Sequence, residues 1–293
     1  MATGYSSAYG IGTMTTTFDQ IASWICQADS LLISAGAGMG VDSGLPDFRG
    51  REGFWKAYPA LAAANIAFSE IACPDAFHET PELAWGFYGH RLALYRRTVP
   101  HRGFEILRNI ADRLRFGAFV FTSNVDGQFQ KAGFAADRIY ECHGSIHHLQ
   151  CLGPCQRDIR PADFEPQVDE LRCRMTSPLP RCPHCGGLTR PNIMMFHDWG
   201  WLDENARLQA GRLNRWRADT RNPVIIELGA GVDVPSVRLF SEDQARFAPL
   251  IRINPRAPQR PQRTEGVSLA MGALEAMQEI NDALYAAGFW DGG

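Results

Sequence analysis

The sequence predicts an α/β protein built on a doubly wound parallel sheet, with an inserted helical module and a small four-cysteine module. Three observations carry this. Short apolar runs bounded by turn residues alternate with stretches of helical spacing. The first run, Leu31-Leu32-Ile33, ends in a glycine cluster, where a sheet can present backbone amides to a phosphate. Two close cysteine pairs interrupt the pattern in a proline-rich stretch.

Along the chain, the small, polar residues 1–15 read as a disordered lead-in. They have no basic start or apolar core of a secretory leader. Phe18, Ile21, Ala22 and Ile25 stand at helical spacing and predict an amphipathic helix over 16–28. A strand follows over 30–35. Residues 54–99 are rich in alanine and aromatics and are interrupted by Pro59, Pro74 and Pro81, which predicts an inserted helical module. A helix over 103–114 leads to a strand over 117–122, then a short helix over 126–132 and a short strand over 139–141. Residues 151–191 form the cysteine module. Strands are expected at 193–196, 224–228, 250–254 and 267–271, and a closing helix at 273–287. The sheet domain then comprises 16–53, 100–150 and 192–290.

The 293 residues are 45% hydrophobic and 21% charged, ordinary values for a globular protein. A net charge of -3 argues against a general nucleic-acid binder. No apolar run approaches the roughly 18 residues of a membrane span. Without an export signal, the eight cysteines read as reduced thiols and metal ligands of a cytoplasmic protein.

Four of those cysteines form Cys151-x3-Cys155 and Cys182-x2-Cys185, separated by 26 residues. Each pair can grip one side of a tetrahedral Zn2+, and four thiolates close the site against substrate, so the metal is structural. Cys173, which has no partner at knuckle spacing, and His184, inside the second knuckle, are weaker ligand candidates. Cys26, Cys73 and Cys142 read as buried small hydrophobes.

Two polar constellations remain. Thr122-Ser123-Asn124-Val125-Asp126-Gly127 ends a strand, where open α/β sheets bind ligands, although a turn alone also explains Asn and Asp there. His143, in Glu141-Cys142-His143-Gly144-Ser145, titrates near neutrality and suits a general base; a purely structural histidine is the plainer alternative.

The glycine loop runs from Ser34-Ala35-Gly36-Ala37-Gly38 into Gly44-Leu45-Pro46-Asp47-Phe48-Arg49. With Ser-Asn-Val-Asp, His-Gly-Ser and the four cysteines in that order, the chain resembles the sirtuins, the NAD-dependent protein deacylases. The likeness spans about 31–254. It implies a Rossmann-type NAD domain whose cleft is capped by the zinc and helical modules. By this resemblance Gly36, Ala37 and Gly38 take the pyrophosphate, and Asp47, Phe48 and Arg49 cover the nicotinamide ribose. Ser123 and Asn124 lie at the ribose, Asp126 orders the loop and the nicotinamide, and Gly229 and Asn254 meet the adenosine half. In the implied reaction the acyl-lysine carbonyl attacks C1′ of the nicotinamide ribose, and nicotinamide leaves. His143 then takes a proton through the ribose hydroxyls. The products are lysine, nicotinamide and O-acyl-ADP-ribose.

Some positions depart from the family pattern. The serine often found in the first loop is Gly40, and the glutamine usually preceding the catalytic asparagine is Ser123. Gly-Thr-Ser becomes Gly229-Ala230-Gly231, and Phe-Gly-Glu becomes Phe196-His197-Asp198. Glu227 to Pro235, Asn124 to Gln130 and the Cys-x3-Cys knuckle resemble the macrodomain-linked sirtuins. Those are ADP-ribosyltransferases that lack the histidine. Retention of His143 ranks deacylation ahead of ADP-ribosyl transfer or NAD hydrolysis. Finally, Tyr88-x-x-Arg91 resembles the pair that binds the distal carboxylate of succinyl- or malonyl-lysine; the alternative is a solvated helix face.

Overall fold

The computed structural model describes residues 16–46 and 50–291. In chain order its strands are β1 (Ser30–Ala35), β2 (Ala118–Thr122), β3 (Ile139–Glu141), β4 (Gly144–Cys151), β5 (Arg160–Pro161) and β6 (Val168–Asp169). They continue with β7 (Arg174–Met175), β8 (Thr189–Ile193), β9 (Pro223–Leu228), β10 (Leu250–Ile253) and β11 (Gly266–Leu269). The main sheet has the order β3-β2-β1-β9-β10-β11 and is parallel throughout. Numbered within the sheet this is 3-2-1-4-5-6, the doubly wound order, whose direction of winding reverses between β1 and β9. β1 and β2 are buried along their whole length, because helices cover both faces of a parallel sheet.

Local signals start the helices. Thr16 and Asp19 exchange hydrogen bonds of 3.1 and 2.8 Å in a capping box that opens Thr17–Gln27. The three prolines of the inserted module each begin a helix: Pro59–Ala63, Pro74–Glu79 and Pro81–Arg97. Cys26 departs from the sequence expectation. It is exposed, since its helix buries Ile21, Ala22 and Ile25 instead, and Cys73 and Cys142 are only partly buried.

A second correction concerns 193–196. That segment is not a strand of the main sheet. β8 ends at Ile193 and pairs antiparallel with β4 in a separate sheet of order β5-β4-β8. The chain then crosses to the helical module, where the Phe196 N–H donates to the Ala72 carbonyl at 2.9 Å. Trp85 Nε1 donates to the Thr189 carbonyl at 2.9 Å, and one apolar core includes Phe54, Trp85 and Phe87 together with Leu149, Cys173 and Met175. The helical and cysteine segments therefore form one continuous body over the end of the main sheet.

A close backbone approach at the carboxyl edge of the main sheet joins the turns after β1 and β9. The Gly36 N–H donates to the Leu228 carbonyl and the Gly38 N–H to the Gly229 carbonyl, both at 3.0 Å. Gly229 sits at φ +60°, and a Cβ there would lie 2.4 Å from the Gly38 main chain. Gly229→Ala combines a left-handed backbone with a clash against main chain, so it should cost about 2–4 kcal/mol. A thermal melt checks this, and an unchanged midpoint would contradict the close-packed turn.

Candidate active site and metal centre

The carboxyl ends of β1, β2, β3, β9 and β10 open into a cleft of about 660 Å3, within the usual range for a small-molecule site. Gly36, Ala37, Ser123, Asn124, Asp126, His143, Asn254, Tyr88 and Arg91, nine of the residues singled out from sequence, line it. Gly38 and Gly229 lie behind this wall, in the turn-to-turn contact. Ala37 opens a 3-10 helix over Ala37–Ser43, where an N–H has no acceptor within the helix. Asp47, Phe48 and Arg49 fall outside the described residues.

Short polar side chains tie the strand ends together. Thr122 Oγ1 donates to the Ala35 carbonyl at 2.9 Å and accepts the Asn124 N–H at 3.0 Å. Asn124 Nδ2 donates to the Gly36 carbonyl at 3.0 Å, which fixes this amide against the glycine loop. Asp126 Oδ1 accepts the Gln128 N–H at 2.9 Å. Asn254 serves both readings, turn and site. Its Nδ2 donates to the Ala230 carbonyl at 2.8 Å, its Oδ1 accepts the N–H groups of Arg256 and Ala257, and it still lines the cleft.

His143 stands just beyond β3. Its carbonyl accepts the Met194 N–H at 2.9 Å, and its Nε2 lies 3.1 Å from Ser236 Oγ. Burial lowers its pKa below the ordinary histidine value, so the ring is neutral at physiological pH, as a base must be.

Tyr88 and Arg91 do not form a solvated helix face. They are 1% and 8% exposed and line the cleft from the covering body. The Arg91 guanidinium lies over the rings of Phe87, Tyr88 and Tyr95 at 5.2–5.6 Å, and its Nε donates to Tyr95 Oη at 3.0 Å. Sequence reasoning missed Tyr95, although a spacing of four from Arg91 puts both on one helix face. It also missed Ser236, for which no local pattern gives a signal.

The four cysteines converge, with all sulfurs within 4.8 Å of one another. Cys151 Sγ–Cys185 Sγ and Cys155 Sγ–Cys182 Sγ are 3.6 Å apart. That is close to the ~3.8 Å edge of a tetrahedron with ~2.3 Å Zn–S bonds, so the donors fit Zn2+. Burial opposes ionisation of Cys182, yet the N–H groups of Cys185 and His184 outweigh it and bring this thiol down to about 6. His184 bonds Asp158 at 3.1 Å, and Cys173 is packed in the apolar core, so neither joins the cluster. When bound, the ion cross-links the two knuckles and supplies no chemistry to the cleft.

An open α/β nucleotide cleft of this winding, in a chain that also carries a four-thiolate cluster, defines a class of dinucleotide-dependent proteins with structural zinc. A Sir2 family model matches residues 36–210, and the chain belongs to that family. It is 30% identical over 249 residues to an NAD-dependent protein deacylase of Aeropyrum pernix, covering 85% of this chain and 90% of the relative. It is 30% identical over 268 residues to an NAD-dependent protein deacetylase 1 of Geobacillus kaustophilus, covering 90% and 97%. A Sir2 homologue solved as an NAD complex shares the fold, with a TM-score of 0.68 at 24% identity, over 92% of this chain and 94% of that one.

Two outcomes test this geometry. Cys182→Ser should release about one equivalent of zinc and unfold the small module; unchanged metal content with full solubility would contradict the cluster. The second concerns buried carboxyls. Burial raises Asp126 to about 6, against the Gln128 N–H and the Arg91 charge. Burial also raises Glu141 to about 7, against hydrogen bonding from Gln130 and with the charge of Asp126 adding to the rise. Both values exceed the unfolded ones, so this stability is complete below pH ~4 and is lost as pH climbs through 6 and 7. Glu141→Gln should therefore stabilise the fold at about pH 8, on the order of 2–3 kcal/mol, and lose that advantage near pH 4. Chemical denaturation at the two pH values checks it; an equal change at both would refute it.

Proposed function

We propose that this chain is an NAD-dependent protein-lysine deacylase, releasing nicotinamide and passing the acyl group to ADP-ribose. The observation that carries the reading is His143: a neutral, partly buried imidazole at the same cleft as Asn124 and Asp126, in a Sir2 family chain. The bound dinucleotide supplies an activated ribose C1′. The chain supplies the rest. Ala37 and the turn around Gly36 and Gly38 receive the pyrophosphate at a helix start. Asn254, held by Ala230, borders the adenosine half. Asn124 and Ser123 flank the ribose, and Asp126 fixes the loop behind it. The family resemblance assigns the nicotinamide end to Asp47, Phe48 and Arg49, which lie outside the described residues. His143 Nε2 takes a proton from a ribose hydroxyl.

For the acyl group, Tyr88 and Arg91 favour a distal carboxylate, as in succinyl- or malonyl-lysine. A guanidinium held under three aromatic rings is a preorganised anion partner, and burial keeps the Tyr88 phenol protonated far above neutral pH.

The test is mass spectrometry of products from NAD with acetyl-, malonyl- and succinyl-lysine peptides. O-acyl-ADP-ribose and nicotinamide should form, and His143→Ala should abolish both. Arg91→Gln should lower succinyl and malonyl turnover at least ~10-fold while sparing acetyl. ADP-ribosylated protein without deacylated peptide would overturn the deacylase reading. A wild-type preference for acetyl would overturn the acyl assignment alone.

A further inference from the structure

Ser236 is not part of any sequence motif described above, yet it is the side chain that meets the candidate base. It is the first residue of the helix Ser236–Gln244, entered through Pro235. That helix is firmly seated. Val237 is buried, Phe240 stacks on Phe121 of β2 at 3.8 Å, and Ser241 Oγ shares a 2.7 Å hydrogen bond with Ser34 Oγ of β1. Ser236 Oγ is thus held by a fixed element 3.1 Å from His143 Nε2. The Met194 N–H fixes the His143 main chain but leaves the ring free to turn about its own axis. Among the described residues, the serine hydroxyl is the hydrogen-bond partner that sets the ring's orientation. Ser236 itself lines the cleft, so this contact sits where the ribose must come.

We propose that Ser236 is a positioning residue for His143, holding Nε2 at the cleft face before and after the nucleotide binds and ceding that nitrogen to a ribose hydroxyl only at the proton-transfer step. The exchange is one hydrogen bond for another. Both hydroxyls can donate to or accept from an imidazole nitrogen, so no charge is stranded during the swap. The serine acts through the histidine and makes no bond to the reacting atoms. This rests on the deacylase reading only where turnover is measured.

The signature is a split between rate and affinity. Ser236→Ala leaves the ring unrestrained, so a smaller share of bound complexes has Nε2 aligned. We expect kcat to fall roughly five-fold, with the NAD dissociation constant unchanged within about two-fold. Ser236→Thr keeps a hydroxyl at that place and should restore most of the rate. Ring 15N resonances of the nucleotide-free protein give an arm independent of turnover, the His143 signals being assigned by their loss in His143→Ala. The Ser236→Ala change should move these signals, and Ser236→Thr should return them. Unmoved signals, or an unchanged kcat, would overturn the proposal. So would equal losses of kcat and NAD affinity in both variants, which would make Ser236 a structural or nucleotide-contact residue. Moved signals in a protein that deacylates no peptide would sink the deacylase reading and leave the Ser236–His143 coupling standing.

Discussion

The close approach of two backbone turns, after β1 and after β9, is the constraint on which the site depends. Gly36 and Gly38 give their N–H groups to the end of β9 and its turn, at distances that leave no room for side chains. Sewing the two strand ends together fixes the floor of the crevice at the reversal of the winding. The polar residues then attach to that floor. Thr122 bonds Ala35, Asn124 bonds Gly36 and Asn254 bonds Ala230. Each donor reaches a carbonyl at or beside these turns, so the ends of β2 and β10 are both registered against one backbone feature. In this chain the glycines at 38 and 229 serve the site by geometry; Ala37, at the start of the helical turn, offers the amide.

The opposite wall depends on a buried ion pair. Arg190 and Asp198 are 2.7 Å apart with both side chains fully buried. The same carboxylate accepts the Gly200 N–H at 3.1 Å, and Arg190 donates to the Ile193 carbonyl at 3.2 Å. Desolvating two charges is costly, and bonds of this number and geometry are what offset it. The pair holds the chain as it leaves β8, including His197 at φ 55°. A left-handed step is natural for the glycine of Phe-Gly-Glu and costs about 1 kcal/mol with a side chain. His197 holds that conformation at an energetic penalty borne by its surroundings.

Much of this was legible in the sequence because the signals are local. Parallel strands buried on both faces read as unbroken apolar runs, and paired cysteines at knuckle spacing announce a metal. Three motifs in order placed six residues that the fold brings to one cleft, and Tyr88, Arg91 and Asn254 join them there. What the sequence hid was non-local or polar. β4 carries His147, His148 and Gln150, so its alternation is weak, and its pairing with β8 spans some forty residues. Glu204–Asp219 is strongly polar, with few buried positions, and apolar periodicity does not reveal it. The burial of Arg91 also has no local cue; it follows from Phe87, Tyr88 and Tyr95 closing around it once the covering body is assembled.

That covering body is built from two insertions, which gives the cleft a mechanical character. Among the described residues the chain passes between it and the sheet domain three times: near 98–101, at 142–144 and through 194–203. One tether would leave the body free to swivel, and two would define a hinge axis with slack. Three separate crossings restrain the body against swivelling over the sheet. Arg91 on the covering body and His143 at the sheet edge are thereby held facing one cleft, so the two halves of the site share a defined separation.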